Sequence, residues 1–341
     1  MLPNFVTSVA PIWRLPQEIL GEVFYHTIPK ISFEEIQECD SPVLDPRVHP
    51  AKTRSTIQLV CHHWYTVLCK TPKLWATIVL ETMQIDIEVV ERVFNLSKAC
   101  LLDVYIDSKD ASKLFSRIFQ THASRFRLLY VVHGHEATGE IYLLFLAELY
   151  LRVQELRFAQ HLFDRLYAPS LEWAALDLIF VGRMDRDTIL NVLLDLKCPK
   201  LRRLAIRNAW FGHSDKVGDL LIHFPSLNAL CLEKCIVGPT FFSSISQDDI
   251  VAQKSHSLET LHIFDTQYSV SNLSDFVRSH SIEQKTAPGQ LKEVLVELKE
   301  EQVVKEQRLE LGDAYDHVVV ITTEDGKCGN PSCPLRICDW Y

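Results

Sequence analysis

The residues of this chain best suited to chemistry are histidines and cysteines in two short runs. In Val131-Val132-His133-Gly134-His135-Glu136, two imidazoles stand two residues apart after an apolar segment. On an extended chain they fall on one side, so both can reach a single ion. His161 and Asp265, each after a further apolar segment, could join them in a divalent-metal site that activates water for hydrolysis. The second run offers three thiols, Cys328, Cys333 and Cys338. Structural zinc takes four Cys or His ligands, typically with short gaps inside each pair. The nearest histidine here, His317, precedes an apolar stretch, so this tail reads as irregular chain with incidental thiols.

The rest of the sequence gives such chemistry little support. The His-x-His start resembles that of amidohydrolase barrels, but the lysine and paired histidines expected at later strand ends are not evident. Glycine is only 11 of 341 residues, about half of average usage. That disfavours folds that cradle phosphates on backbone amides. No Gly-x-Ser-x-Gly, phosphate-binding loop, dinucleotide fingerprint or His-Glu-x-x-His occurs. Cys61 has apolar neighbours and Trp64 one helical turn away, a packing position rather than a nucleophile's. The expectation is therefore no catalytic residue, no metal and no cofactor. A metal-dependent hydrolase using His133 and His135 is an outlying alternative.

Composition narrows the class. Hydrophobic residues make up 47%, enough for a large core. Lys plus Arg is 35 against 44 Asp plus Glu, a formal charge of -9, which argues against a nucleic-acid partner. Cysteines such as Cys61, Cys100, Cys198 and Cys231 lie in apolar runs, as suits reduced thiols better than a disulfide framework. Met1-Leu2-Pro3-Asn4-Phe5 lacks a basic, apolar signal pattern, and no run reaches membrane-spanning length. The expected setting is soluble and intracellular, cytoplasmic or nuclear, with no membrane partner.

The elements fall into two styles. In Leu15-Pro16-Gln17-Glu18-Ile19-Leu20-Gly21-Glu22-Val23-Phe24, Pro16 and Glu18 mark a helix start. Ile19, Leu20, Val23 and Phe24 follow at helical spacing. Residues 30–53 carry Pro42, Pro46 and Pro50 and few apolar side chains, a loop pattern. A second helix is expected from Ser55 to Cys69, with Ile57, Val60, Cys61, Trp64 and Leu68 on its apolar face. Pro72 ends it, and Leu74 and Trp75 open a short turn. Two such helices cannot close a core alone.

These residues resemble the F-box family. The likeness lies in Leu15-Pro16-x-Glu18-Ile19-Leu20, in Leu59-Val60-Cys61-His62-His63-Trp64 and in Pro72-x-Leu74-Trp75. The long proline-bearing insert is similar to that of F-box proteins from mushroom-forming fungi. The resemblance implies docking on a Skp-type adaptor of a cullin–RING ubiquitin ligase. Leu15, Pro16, Ile19, Leu20, Val23, Val60, Cys61 and Trp64 would form that interface or brace it.

From Ala76 onward, apolar strands recur. Leu201-x-x-Leu204-x-Ile206, Leu227-x-x-Leu230-x-Leu232, Leu258-x-x-Leu261-x-Ile263 and Leu291-x-x-Val294-x-Val296 are the clearest. Leu101-x-x-Val104-x-Ile106, Phe126-x-x-Leu129-x-Val131, Val153-x-x-Leu156-x-Phe158 and Trp173-x-x-Leu176-x-Leu178 are weaker copies, and Thr77-Ile78-Val79-Leu80 precedes them. The spacing is irregular and near that of leucine-rich repeats. Pro169-Ser170, Pro199-Lys200 and Pro225-Ser226 introduce strands. Helices are expected over Ile87 to Lys98, Ala111 to His122 and Thr188 to Leu196. In leucine-rich repeats an Asn or Cys follows the strand to satisfy backbone groups; Cys235 fits, while Ala209, Thr266 and His161 take equivalent places. Trp210, Phe211, Phe241 and Phe242 are expected to pack between turns. Lys299 to Arg308 is a charged stretch, and Val318-Val319-Val320-Ile321 is a strand in a cap.

The expected fold class is α/β: a short helical F-box-like module, then a leucine-rich-repeat-like solenoid with parallel strands. The boundaries are a tail at 1–11, the module at 12–76, the solenoid at 77–323 and a tail at 324–341. The expected function is that of a substrate-recognition subunit of a Skp–cullin–F-box ubiquitin ligase, holding a protein target through the solenoid. A leucine-rich scaffold whose N-terminal hairpin is only a cap is the main rival.

Overall fold

A computed structural model of the chain describes residues 15–30, 49–81, 86–107, 121–132, 141–153, 156–179, 188–212, 217–246, 258–282, 293–297 and 318–321. Three helices come first: α1 (Gln17–Thr27), α2 (Pro50–Val60) and α3 (His62–Lys70), then a 3-10 turn at Pro72–Trp75. Pro16 stands just ahead of α1, and Glu18 lies in its first turn, at the positive end of the helix. Leu20, Phe24, Ile28, Ile57, Val67, Leu68, Leu74 and Trp75 share one small core. Gly21 sits in that contact. A Cβ there would come 3.2 Å from the Thr71 hydroxyl, so the missing side chain lets α1 close on the end of α3.

The single helix expected from Ser55 to Cys69 is two. Cys61 is extended, with φ -166° and ψ 165°, and the helix restarts at His62. Apolar spacing did not reveal the break, because both helices feed one core and keep three- and four-residue steps across it. α2 also starts inside the expected 30–53 loop. His49 Nδ1 accepts a hydrogen bond from the Ala51 amide at 3.1 Å, capping a helix whose first turn holds Pro50. Residues 31–48 of that loop lie outside the described residues.

From Thr77 the chain builds one ten-stranded parallel sheet. Its strands are β1 (Thr77–Leu80), β2 (Leu102–Ile106), β3 (Phe126–Val131), β5 (Glu148–Val153), β7 (Trp173–Leu178), β8 (Arg203–Arg207), β10 (Ala229–Glu233), β12 (Thr260–Phe264), β13 (Glu293–Glu297) and β14 (Val318–Ile321). Each pairs with the next, so the sheet grows by one strand per unit and stays open at β1 and β14. It is not a closed barrel. The short strands β4 (Ile141–Tyr142) and β6 (Leu166–Tyr167) pair with each other, as do β9 (Trp210–Gly212) and β11 (Ile236–Val237).

Parallel pairing needs a return crossover. Helices supply it at α4 (Ile87–Leu96), α5 (Leu156–Arg165), α6 (Thr188–Leu194), α7 (Val217–His223), α8 (Thr240–Ser246) and α9 (Val270–Ile282). From α5 to α9 each packs on its successor. Inward residues of the strands, such as Val104, Leu129, Leu151, Leu176, Ile206, Leu232 and Ile263, share the large core with Phe94, Leu162, Leu193, Leu220, Phe241 and Leu273 from the helices.

The prolines do what the sequence implies. Leu171, Leu201 and Leu227 donate backbone hydrogen bonds to the carbonyls of Ala168, Cys198 and Phe224. Each closes a four-residue turn with Pro169, Pro199 or Pro225 in the second place. The strand expected from Val153 is wrong in register: β5 ends there and α5 begins at Leu156. Apolar residues three apart satisfy a helical turn as readily as the strand motif. The helices expected over Ile87 to Lys98 and Thr188 to Leu196 are α4 and α6. Most of that expected over Ala111 to His122 lies outside the described residues, as do the 299–308 stretch and the 328–338 cysteines. Val318–Ile321 pairs with β13 as the last strand of the sheet.

Candidate functional site

α1 is apolar on two sides. Leu20 and Phe24 point into the small core, while Ile19 and Val23, one turn apart, lie outside, with the exposed Leu15 just ahead of the helix. Ile19 is 51% exposed and Val23 45%. A second apolar edge lies where α2 ends, with Leu59 86% and Val60 54% exposed and Cys61 exposed beside them. Ile57 enters the small core, while Leu59, two residues on, lies on another side of α2, and Val60 ends the helix exposed. Scattered exposed aliphatics are ordinary; here two stand one turn apart on a helix whose neighbouring face is already buried, which leaves apolar surface in water.

The support behind this surface is specific. The Phe24 and Trp64 rings lie 4.9 Å apart. Trp75 Nε1 donates to the Leu68 carbonyl at 2.9 Å. Arg54 Nη1 donates to the carbonyls of Leu74 at 3.1 Å and Thr77 at 2.9 Å, tying α2 to the start of β1. Lys73 pairs with Glu22 and holds its carboxyl below the usual range.

Of the residues expected to meet an adaptor, Leu15, Pro16, Ile19, Val23, Val60 and Cys61 are exposed. Leu20 is fully buried and Trp64 partly so; both brace the module from within. The exposure of Cys61 corrects its reading as a packing residue. Leu59 was missed, although it is the most exposed of these side chains. It lies two residues from the buried Ile57, on another side of α2, outside the apolar spacing read from the sequence. Compared with protein-family models and with curated proteins, the chain matches none. No described helix is long and apolar enough to cross a membrane.

The metal constellation is not assembled among the described residues, where no group of three His, Cys, Asp or Glu could hold an ion. His161 lies within α5 rather than in a loop after a strand, and Asp265 turns the chain after β12 with φ 43°. His133 and His135 lie outside the described residues.

On the sheet face away from the helices, the central row is buried. Tyr105, Tyr130, Tyr150, Ala175, Ala205, Cys231, His262 and Leu295 stand in register, one per strand, all buried. The tyrosine rings stack, with centroids 4.5 Å and 4.3 Å apart. Burial raises the pKa of all three. Beside them Arg152, Asp177, Arg207 and Glu233 alternate in sign across adjacent strands. Arg152 lies 3.3 Å from Asp177, which also accepts from Tyr150 Oη at 3.2 Å and Asn208 Nδ2 at 2.7 Å. Arg207 pairs with Glu233, whose carboxyl burial pushes up while Arg207 opposes the rise. The charges neutralise one another along the sheet, as burial requires.

The turns after the strands repeat a local device. Asn208, Lys234 and Asp265 each follow a strand with φ of 57°, 52° and 43°. Next, Cys235 Sγ reaches the carbonyls of Ile206 and Glu233, and Thr266 Oγ1 donates to those of Leu232 and Phe264. Cys235 therefore has the expected role, Thr266 shares it, and His161 has no part in it. Phe211, Phe241 and Phe242 are buried as expected, whereas Trp210 is partly exposed.

One turn departs from the rest. Leu146 donates to the Leu143 carbonyl in the same closing bond, but Leu144 and Phe145 stand where the other turns have proline and a polar residue. Both are exposed, as are Tyr142 and Tyr167, whose rings lie 5.9 Å apart.

Proposed function

We propose that the chain is an F-box-type substrate receptor of a Skp–cullin–F-box ubiquitin ligase. Its N-terminal helices dock a Skp-type adaptor, and a leucine-rich-repeat-like solenoid carries a protein target. The observation that carries the reading is the outward pair Ile19 and Val23, with the exposed Leu15 just ahead of the helix, beside a face already filled by Leu20 and Phe24. Its position ahead of a one-strand-per-unit parallel sheet supports the reading further. No residue of this chain is catalytic in this account. Its contribution is proximity, raising the local concentration of target lysines near a ubiquitin-charged partner. The apolar turn at Leu144 and Phe145, with Tyr142 and Tyr167, is the surface we assign to target contact, since the central row of the sheet is buried.

Co-purification with a Skp-type adaptor tests this. Wild type is expected to bring the adaptor down, and Ile19→Asp with Val60→Asp to lose it while keeping the same thermal midpoint. Phe145→Asp is expected to leave adaptor binding intact. A wild-type chain that does not bind the adaptor leaves the scaffold reading in its place.

A further inference from the structure

Between the helical module and the first helix of the sheet lies a cavity of about 450 Å³, within the range of small-ligand sites. α2 and α3 form one wall, and α4 with Trp75 the other. Two cations line it, Arg54 and Arg92, with Gln58, the Tyr65 ring and the aliphatic side chains of Val93 and Leu96. Among the described residues that line it there is no carboxylate.

Arg54 is the unusual member. It is 4% exposed and lines this cavity. Its guanidinium lies over the Trp75 ring, 5.3 Å from the centroid. Nη1 donates to the Leu74 and Thr77 carbonyls, and among the described residues no acidic side chain pairs with it. A buried guanidinium without a counter-ion is disfavoured, because desolvation is not offset by an opposite charge. Burial lowers the pKa of Arg54 to about 10, in the direction an adjacent anion would reverse. At the more open side Arg92 Nη2 donates to Tyr65 Oη at 3.2 Å, which sets a second cation at the rim.

We propose that this cavity binds a single carboxylate carried on an apolar body, with the carboxylate between Arg54 and Arg92 and the body against Trp75, Val93 and Leu96. Arginine's planar fork suits a carboxylate in two-point contact. Two sources share this chemistry, a free small organic acid and the C-terminal carboxylate of a peptide ending in an apolar residue. The site is independent of the adaptor surface, so its test stands whatever Ile19 and Val60 do.

The experiment is calorimetric titration of the full-length chain with phenylacetate, neutral phenylacetamide, inorganic phosphate, and acetyl-Ala-Phe as free acid and as amide. Phenylacetate is expected to bind and phenylacetamide not. Arg92→Gln, at an exposed position, is expected to weaken binding about ten-fold, the loss of one charge-assisted hydrogen bond, without moving the thermal midpoint. Arg54→Met is expected to abolish it, and circular dichroism checks that this variant folds. If the dipeptide acid binds more tightly than phenylacetate and its amide does not bind, the peptide terminus is the source; the reverse order assigns the free acid. Equal binding of acid and amide, phosphate binding as tightly as phenylacetate, no binding by either acid, or indifference to Arg92→Gln would each overturn the proposal.

Discussion

Compare α1 with β5. α1 buries Leu20 and Phe24 and leaves Ile19 and Val23 outside, behind the exposed Leu15 that precedes it. β5 buries Leu149 and Leu151 toward the helices and Tyr150 on the other face, so no apolar row is left over. The same contrast runs through each region. The module is a core of eight residues with an unused apolar flank, whereas successive strands bury both faces. A strand in a growing parallel sheet has neighbours on either edge and side chains stacked above and below. A helix in so small a module has one face to spend, and surplus apolar residues remain in water unless a partner covers them.

Substitutions on the two sides of that contrast should separate it. The largest effect is expected at Tyr130, which stacks on Tyr105 and Tyr150. Tyr130→Ala should lower unfolding free energy by about 4 kcal/mol, as large-to-small changes of buried aromatics do, measured by urea denaturation. Leu20→Ala should cost about 3 kcal/mol in the module, while Ile19→Asp one residue away stays within about 0.5 kcal/mol. Equal losses at the two positions would erase the distinction between the inner and outer sides of α1. Cys235→Ala should cost about 1 kcal/mol, the net worth of a buried polar contact, because its thiol serves two carbonyls between strands.

The smallest effect is a pH dependence at the strand ends. Burial pushes the Asp107 carboxyl up to about 6, the Glu81 carboxylate adds to the rise, and Arg152 opposes it. A carboxyl raised above its unfolded value of about 3.9 favours the folded state when protonated. Stability from this group falls as pH rises from about 4 to about 6 and stays lower above that window. Asp107→Asn should match wild type near pH 4 and melt higher at pH 8. A variant that melts lower at pH 8 would show that Arg152 outweighs burial there.

Much of the array was legible because alternation and turn chemistry both leave marks in sequence. Pro169, Pro199 and Pro225 announce their turns, and Leu204, Leu230 and Leu261 announce their strands. The misplacement at Val153 arose where an apolar spacing served either a strand or the start of α5. The helix break at Cys61 was not legible, since an extended residue between two helices needs neither proline nor glycine. The candidate surface includes that break: Leu59, Val60 and Cys61 are exposed beside it, while Ile57 is buried one turn earlier. The burial of the Tyr105–Tyr130–Tyr150 row was equally hidden, because tyrosine is as suited to a wet surface as to a stack.

The central claim is that the outer side of α1 and the end of α2 dock an adaptor. The most direct measurement is the affinity of the full-length chain for a Skp-type adaptor, compared between wild type and Ile19→Asp with Val60→Asp. The account predicts specific binding by wild type, at least about a hundred-fold weaker binding by the double variant, as expected for two interface anchors, and unchanged thermal midpoints. Wild-type and variant chains that bind equally, or a well-folded wild type that does not bind at all, would contradict it.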